Sequence, residues 1–172
     1  MSALEVGDRA PGFDLPAVYG YKAGETSPSA EEKVMVKLKD FQDKKWVALC
    51  FYAVDSSPED TRLMVTFNEW NRKFKTREVE LMGCSWNGVN AHQQFIEGYQ
   101  MGFTLLADEY KKVTDLYGVI KEEDDLGQMV KVIERSTFLI DKTGMIRAVW
   151  RNIEDFREHP KEVWDVIQKE KK

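Results

Sequence analysis

The stretch Trp46–Thr61, WVALCFYAVDSSPEDT, decides how this chain folds. Trp46 to Tyr52 is a continuous apolar run, the pattern of a strand buried on both faces. Asp55, Ser56, Ser57 and Pro58 break that run. Ser57 before Pro58 is a helix-start signal, because its hydroxyl caps free amides and proline lacks the first one. Glu59 and Asp60 then fall in the first turn, where free N–H groups and the helix dipole favour carboxylates. Leu63, Phe67, Trp70 and Phe74 recur at helical spacing, which predicts an amphipathic helix over 58–75 with those four side chains buried. In α/β proteins, sites are commonly built where a buried strand feeds a helix N-terminus.

Working outward, residues 80–85 form a second short apolar strand, so strand, helix and strand read as a right-handed parallel crossover. Ala91, Phe95, Ile96 and Tyr99 predict a second amphipathic helix that stops near Gly102. Residues 109–117 suggest a short third helix through Val113, Leu116 and Tyr117. The acidic run Glu122–Asp125 reads as a solvated loop. Thr137–Ile140 and Ile146–Trp150 flank Asp141-Lys142-Thr143-Gly144, a hairpin signal. Pro160 opens a last helix with Val163, Trp164 and Ile167 on one side. Upstream, Val34, Val36 and Leu38 alternate with Met35, Lys37 and Lys39 as in a half-exposed strand, and residues 20–32 read as a solvated loop. Phe13, Leu15 and Val18 are expected on a sheet edge. The whole chain, 1–172, reads as one α/β domain with a central mixed sheet flanked by helices, in the thioredoxin-like order plus an added N-terminal part.

A chain of 172 residues is long enough for a real core, and 42% hydrophobic with 32% charged residues is ordinary for a soluble domain. A net charge of −5 argues against nucleic acid or an anionic membrane as partner. No apolar run is long enough to span a bilayer, and MSALEVGDRA lacks the apolar core of a signal peptide, so the expected location is cytoplasmic. Two cysteines, Cys50 and Cys84, without a C-x-x-C pattern supply neither a disulfide framework nor a metal site. His92, on the polar side of its helix, and His159 are expected at the surface, and two isolated histidines make no ligand set. No cofactor or metal is expected.

The stretch resembles the active-site segment of the peroxiredoxin (AhpC/TSA) family, F-Y-P-x-x-x-T-P-x-C-T. Here it reads Phe51, Tyr52, Ala53, then Ser57, Pro58, Glu59, Asp60, Thr61. The likeness continues through Val6–Phe13, Gly83-Cys84-Ser85, Phe103–Asp108, Leu116–Val119 and Arg135–Asp141. It is greatest to the bacterioferritin-comigratory branch. It implies a thioredoxin-like fold of the peroxiredoxin variety and a thiol-dependent peroxidase as the ancestral activity. Asp60 stands where the family carries its peroxidatic cysteine, Ser57 where it carries a threonine, and Arg135 where it carries the arginine that stabilises the thiolate. Val65 stands at the branch's usual resolving position.

A carboxylate is a hard, weak nucleophile with no sulfenic acid to form, so ordinary peroxidase turnover is not expected from Asp60. Its charge and size resemble those of an oxidised cysteine, and a carboxylate–guanidinium pair between Asp60 and Arg135 is expected beside Ser57. Two functions follow. One is a peroxiredoxin-like protein without peroxidase activity, a binding or redox-regulatory module that takes a protein partner or small anion at the remodelled pocket. The other is a thiol-dependent peroxidase or oxidoreductase working through Cys84 or Cys50, although both cysteines fit packed, inert thiols. Trp86 reads as a packing residue. A monomer or homodimer fits either function.

Overall fold

The computed structural model describes residues 3–22 and 34–171. Nine strands and four helices are described. They are β1 (Asp14–Val18), β2 (Val34–Lys37), β3 (Trp46–Phe51), α1 (Pro58–Thr76), β4 (Val79–Ser85), α2 (Val89–Tyr99) and β5 (Thr104–Ala107). Then come α3 (Lys112–Leu116), β6 (Ile120–Asp125), β7 (Gln128–Ile133), β8 (Ser136–Ile140), β9 (Ile146–Trp150) and α4 (His159–Glu170). Seven strands form one mixed sheet in the order β2-β1-β5-β4-β3-β8-β9, while β6 and β7 make a separate hairpin.

β3 lies inside the sheet, parallel to β4 and antiparallel to β8. Its unbroken apolar run is explained by two cores. Ala48, Cys50 and Tyr52 join one with Leu63, Phe67, Phe74, Phe95 and Trp164. Val47, Leu49 and Phe51 join the other with Met82, Cys84, Tyr117 and Phe138. Alternation along the strand sends successive side chains to opposite faces, and both faces are covered. α1 and α4 lie together on the first face, where Phe74 stacks on Trp164 with centroids 6.1 Å apart. The β3–α1–β4 unit is the parallel crossover that the spacing predicts.

Several expectations need correction. Leu63, Phe67 and Phe74 are fully buried, but Trp70 is only half-buried and carries the Lys73 ammonium over its ring. β1 is not an edge strand, since it pairs with both β2 and β5. β5 escapes a reading of the sequence because four residues are too few to show a period. The acidic run is a strand paired to β7, although residues 122–125 remain exposed as a solvated loop would be. His92 and His159 are buried, not superficial. His92 shares a helical face with Phe95 and Ile96, and a buried carboxylate receives it there. The loop expected over 20–32 falls mostly on residues outside those described. No helix among the described residues is long and apolar enough to cross a membrane.

Candidate functional site

The site lies at the carboxyl end of β3, where the chain turns into α1. Ser57 caps the helix: its extended backbone (φ −68°, ψ 152°) lets Oγ accept from the Asp60 amide at 3.2 Å, and Pro58 follows at the position that needs no N–H. The same hydroxyl donates back to Asp60 Oδ2 at 2.6 Å. The amides of Ala53 and Val54 donate to Oδ1 and Oδ2 of Asp60, each at 3.1 Å. Arg135, immediately before β8, completes the set: Nε meets Oδ1 at 2.8 Å and Nη2 meets Oδ2 at 3.2 Å. That is the two-pronged geometry in which a guanidinium holds a carboxylate most strongly.

Asp60 is fully buried, while the Arg135 side chain keeps 25% of its surface in solvent. Its hydrogen bond to Asp60 holds the guanidinium pKa above its ordinary value, against the opposing effect of burial. The Phe156 ring lies 5.2 Å from the guanidinium carbon. A carboxylate offers about four lone-pair sites. Here two amides, a hydroxyl and two guanidinium N–H groups converge on them. The group therefore has no free lone pair with which to act as a general base or bind a metal. Among the described residues no cluster of His, Cys, Asp or Glu could hold a metal ion. The arrangement is an anion hole filled by the chain's own carboxylate.

The structure brings Asp60, Ser57 and Arg135 together and leaves the two thiols apart from one another. Cys50 and Cys84 are both 0% exposed. They belong to different cores on opposite faces of the sheet, so they cannot pair with each other. Burial pushes the Cys50 thiol up to about 12 and raises Cys84 well above its ordinary value. Neither thiol is therefore poised to ionise near neutral pH, and the thiolate is the nucleophilic form. Trp86 packs: its Nε1 donates to Thr114 Oγ1 at 2.9 Å, and the Lys111 ammonium sits 4.2 Å from the ring centre. Val65 is half-buried against the core on α1.

Sequence reasoning missed a second buried group behind the turn. His92 Nδ1 lies 2.7 Å from Asp55 Oδ2, and Tyr52 donates its hydroxyl to Asp55 Oδ1. The Tyr52 ring lies across Gly83, where an added Cβ would come within 3.1 Å of it and within 2.6 Å of Met64. The available signal was the placement of His92 three and four residues ahead of Phe95 and Ile96.

The sequence profile of the AhpC/TSA family matches residues 6–149. The bcp protein of Coxiella burnetii is 36% identical over 151 residues, covering 88% of this chain and 91% of that one. Peroxiredoxin Bcp of Bacillus subtilis is 30% identical over 165 residues, covering 96% of each. Among solved structures, Xanthomonas campestris peroxiredoxin Q superposes with a TM-score of 0.77 at 26% identity, covering 93% of this chain and 92% of that one. A cysteine-to-serine mutant of Xylella fastidiosa PrxQ reaches a TM-score of 0.85 over 100% of both chains; at 24% identity it speaks for the fold alone. The chain belongs to the AhpC/TSA family, among its peroxiredoxins of the Bcp/PrxQ type.

Proposed function

We propose that this chain is a peroxiredoxin-family protein without ordinary thiol peroxidase activity, working as a binding or redox-regulatory module. One observation carries the reading: the Asp60 carboxylate, fully buried, fills a hole made by the Ala53 and Val54 amides, the Ser57 hydroxyl and Arg135. A hole of that kind would stabilise a thiolate or an oxidised sulfur, and a carboxylate satisfies it permanently. The pocket is thus held in the state that a negatively charged side chain produces. Arg135, still a quarter exposed, offers its outer edge to a small anion or an acidic group on a protein partner.

The relatives favour a second reading. Their names describe peroxiredoxins, so an antioxidant thiol-dependent peroxidase is the activity this chain would inherit. It would have to run through Cys84 or Cys50, both of which are sealed from solvent and raised in pKa by burial.

Peroxide consumption with thioredoxin or dithiothreitol separates the two. The chain as it stands is expected near background, and Asp60→Cys is expected to gain turnover. Robust reduction by the unaltered chain, abolished by Cys84→Ser or Cys50→Ser, would install the second reading.

A further inference from the structure

The turn that presents the Ala53 and Val54 amides is itself held from behind by groups the anion hole does not use. Asp55 keeps only 5% of its side chain in solvent and is fastened three ways. Its Oδ2 meets His92 Nδ1 at 2.7 Å, its Oδ1 accepts from the Tyr52 hydroxyl, and its amide donates to Asn87 Oδ1 at 2.9 Å. Asn87 is fixed in turn by Ser85, whose hydroxyl donates to Oδ1 at 3.0 Å. His92 is fully buried, and its other nitrogen, Nε2, lies 2.8 Å from the Leu106 carbonyl at the end of β5. Each ring nitrogen thus faces an oxygen partner, so the ring is anchored at both ends. Next along the chain, Ser56 sits at φ +68°, a conformation that a non-glycine residue keeps only when its surroundings impose it.

We propose that the Asp55–His92 pair is a positioning device for residue 60: it ties the 53–56 turn to α2 and β5 so that the Ala53 and Val54 amides converge on whatever side chain stands there. Asp55 follows Val54 directly and Ala53 by two residues. Releasing its carboxylate would free the turn to relax out of the strained Ser56 conformation, and both amides would swing off their target. Tyr52 is a second hand on the same carboxylate. His92 and Asp55 touch no substrate and act only through the turn. The proposal deepens the reading of Asp60 as the occupant of an anion hole and rests on it.

Amide hydrogen exchange of the full chain, read residue by residue, tests this without reference to activity. In His92→Gln and in Asp55→Asn, the Ala53 and Val54 amides are expected to exchange at least about tenfold faster, while Leu49 to Phe51 in β3 stay within about twofold. His159→Gln removes another buried histidine, one with no carboxylate partner among the described residues, and it should not single out residues 53 and 54. Unchanged exchange at 53 and 54, or a rise shared equally by β3, would overturn the proposal. So would the same local pattern in His159→Gln. A second measurement covers the case in which either variant folds poorly. In an Asp60→Cys background, adding Asp55→Asn should raise the titration midpoint of the new thiol by about one unit, because two amide donors to the thiolate are lost. An unmoved midpoint would count equally against the pair. Peroxide turnover by the unaltered chain would sink the functional reading alone and leave the exchange pattern as it is.

Discussion

Asp60 and the run Glu122–Asp125 are both carboxylates beside strands in an acidic chain, and they meet opposite surroundings. Asp60 is sealed at the start of α1, with the Ala53 and Val54 amides, Ser57 and Arg135 all directed at it. The four carboxylates of β6 stand in water on a hairpin outside the main sheet, with Lys121 beside Glu123 at 3.1 Å as the ion pair there among the described residues. The difference shows what makes a charge matter to a fold. A sealed carboxylate depends on each donor, because removing one exposes a desolvated charge. A solvated carboxylate has water as its partner and depends on nothing.

The largest expected effect comes from taking Arg135 away. Arg135→Ala leaves Asp60 buried with two amides and a hydroxyl but no counter-charge, and should destabilise by about 3 kcal/mol, at the lower end of the range for stranding a buried ion. Asp60→Ala together with Arg135→Ala should recover part of that loss, because no charge is then stranded. Denaturant unfolding of both single variants and the double variant measures the coupling. Strictly additive losses would erase the contrast with the hairpin by showing that the two side chains do not depend on each other.

His159 sharpens the contrast from another side, as a buried ionisable group with no counter-charge among the described residues. Its Nε2 lies 2.9 Å from the Thr137 hydroxyl, the Phe67 and Trp150 rings pack edge-on against it, and burial lowers its pKa from the ordinary 6.5 to about 4. The sign follows from which state binds the proton. Between about 6.5 and about 4 the unfolded chain binds it and the folded one does not, so stability falls as pH falls through that window. Between pH 7 and pH 5 the loss should be about 2 kcal/mol from this residue. His159→Gln should flatten that part of the profile, whatever it costs in overall stability. An undiminished slope in the variant would mean that other groups produce it.

Legibility in the sequence follows the length and regularity of each signal. β3 and α1 can be read because seven apolar residues in a row and a repeating helical stripe each have a single structural solution. The meeting of Asp60 with Arg135 is legible only through the family resemblance, since 75 positions separate the two and no spacing rule joins them. The histidines mislead for a related reason: a lone polar residue on a helix carries no period, and the partner that draws His92 inward, Asp55, is 37 positions away. β5 is too short to show alternation. β6 shows none because all four acidic residues are exposed, leaving nothing in the sequence to distinguish an inner from an outer face.

The smallest expected effect belongs to the hairpin itself. The Lys121 and Glu123 side chains are 35% and 52% exposed, so their attraction is screened and opposed by the entropy of holding two long side chains still. Glu123→Gln should therefore change unfolding free energy by less than about 0.5 kcal/mol. One route to a larger value exists: Glu123 also contributes to raising the Arg135 pKa through its charge, so the hairpin's field reaches the guanidinium. If that reach matters, Glu123→Gln should cost more at low ionic strength than at high, and the extra cost should vanish in an Arg135→Ala background. A salt-independent change under about 0.5 kcal/mol in both backgrounds would confine the hairpin's carboxylates to solvation, and a salt-dependent one would make them an outer layer of the Asp60–Arg135 pair.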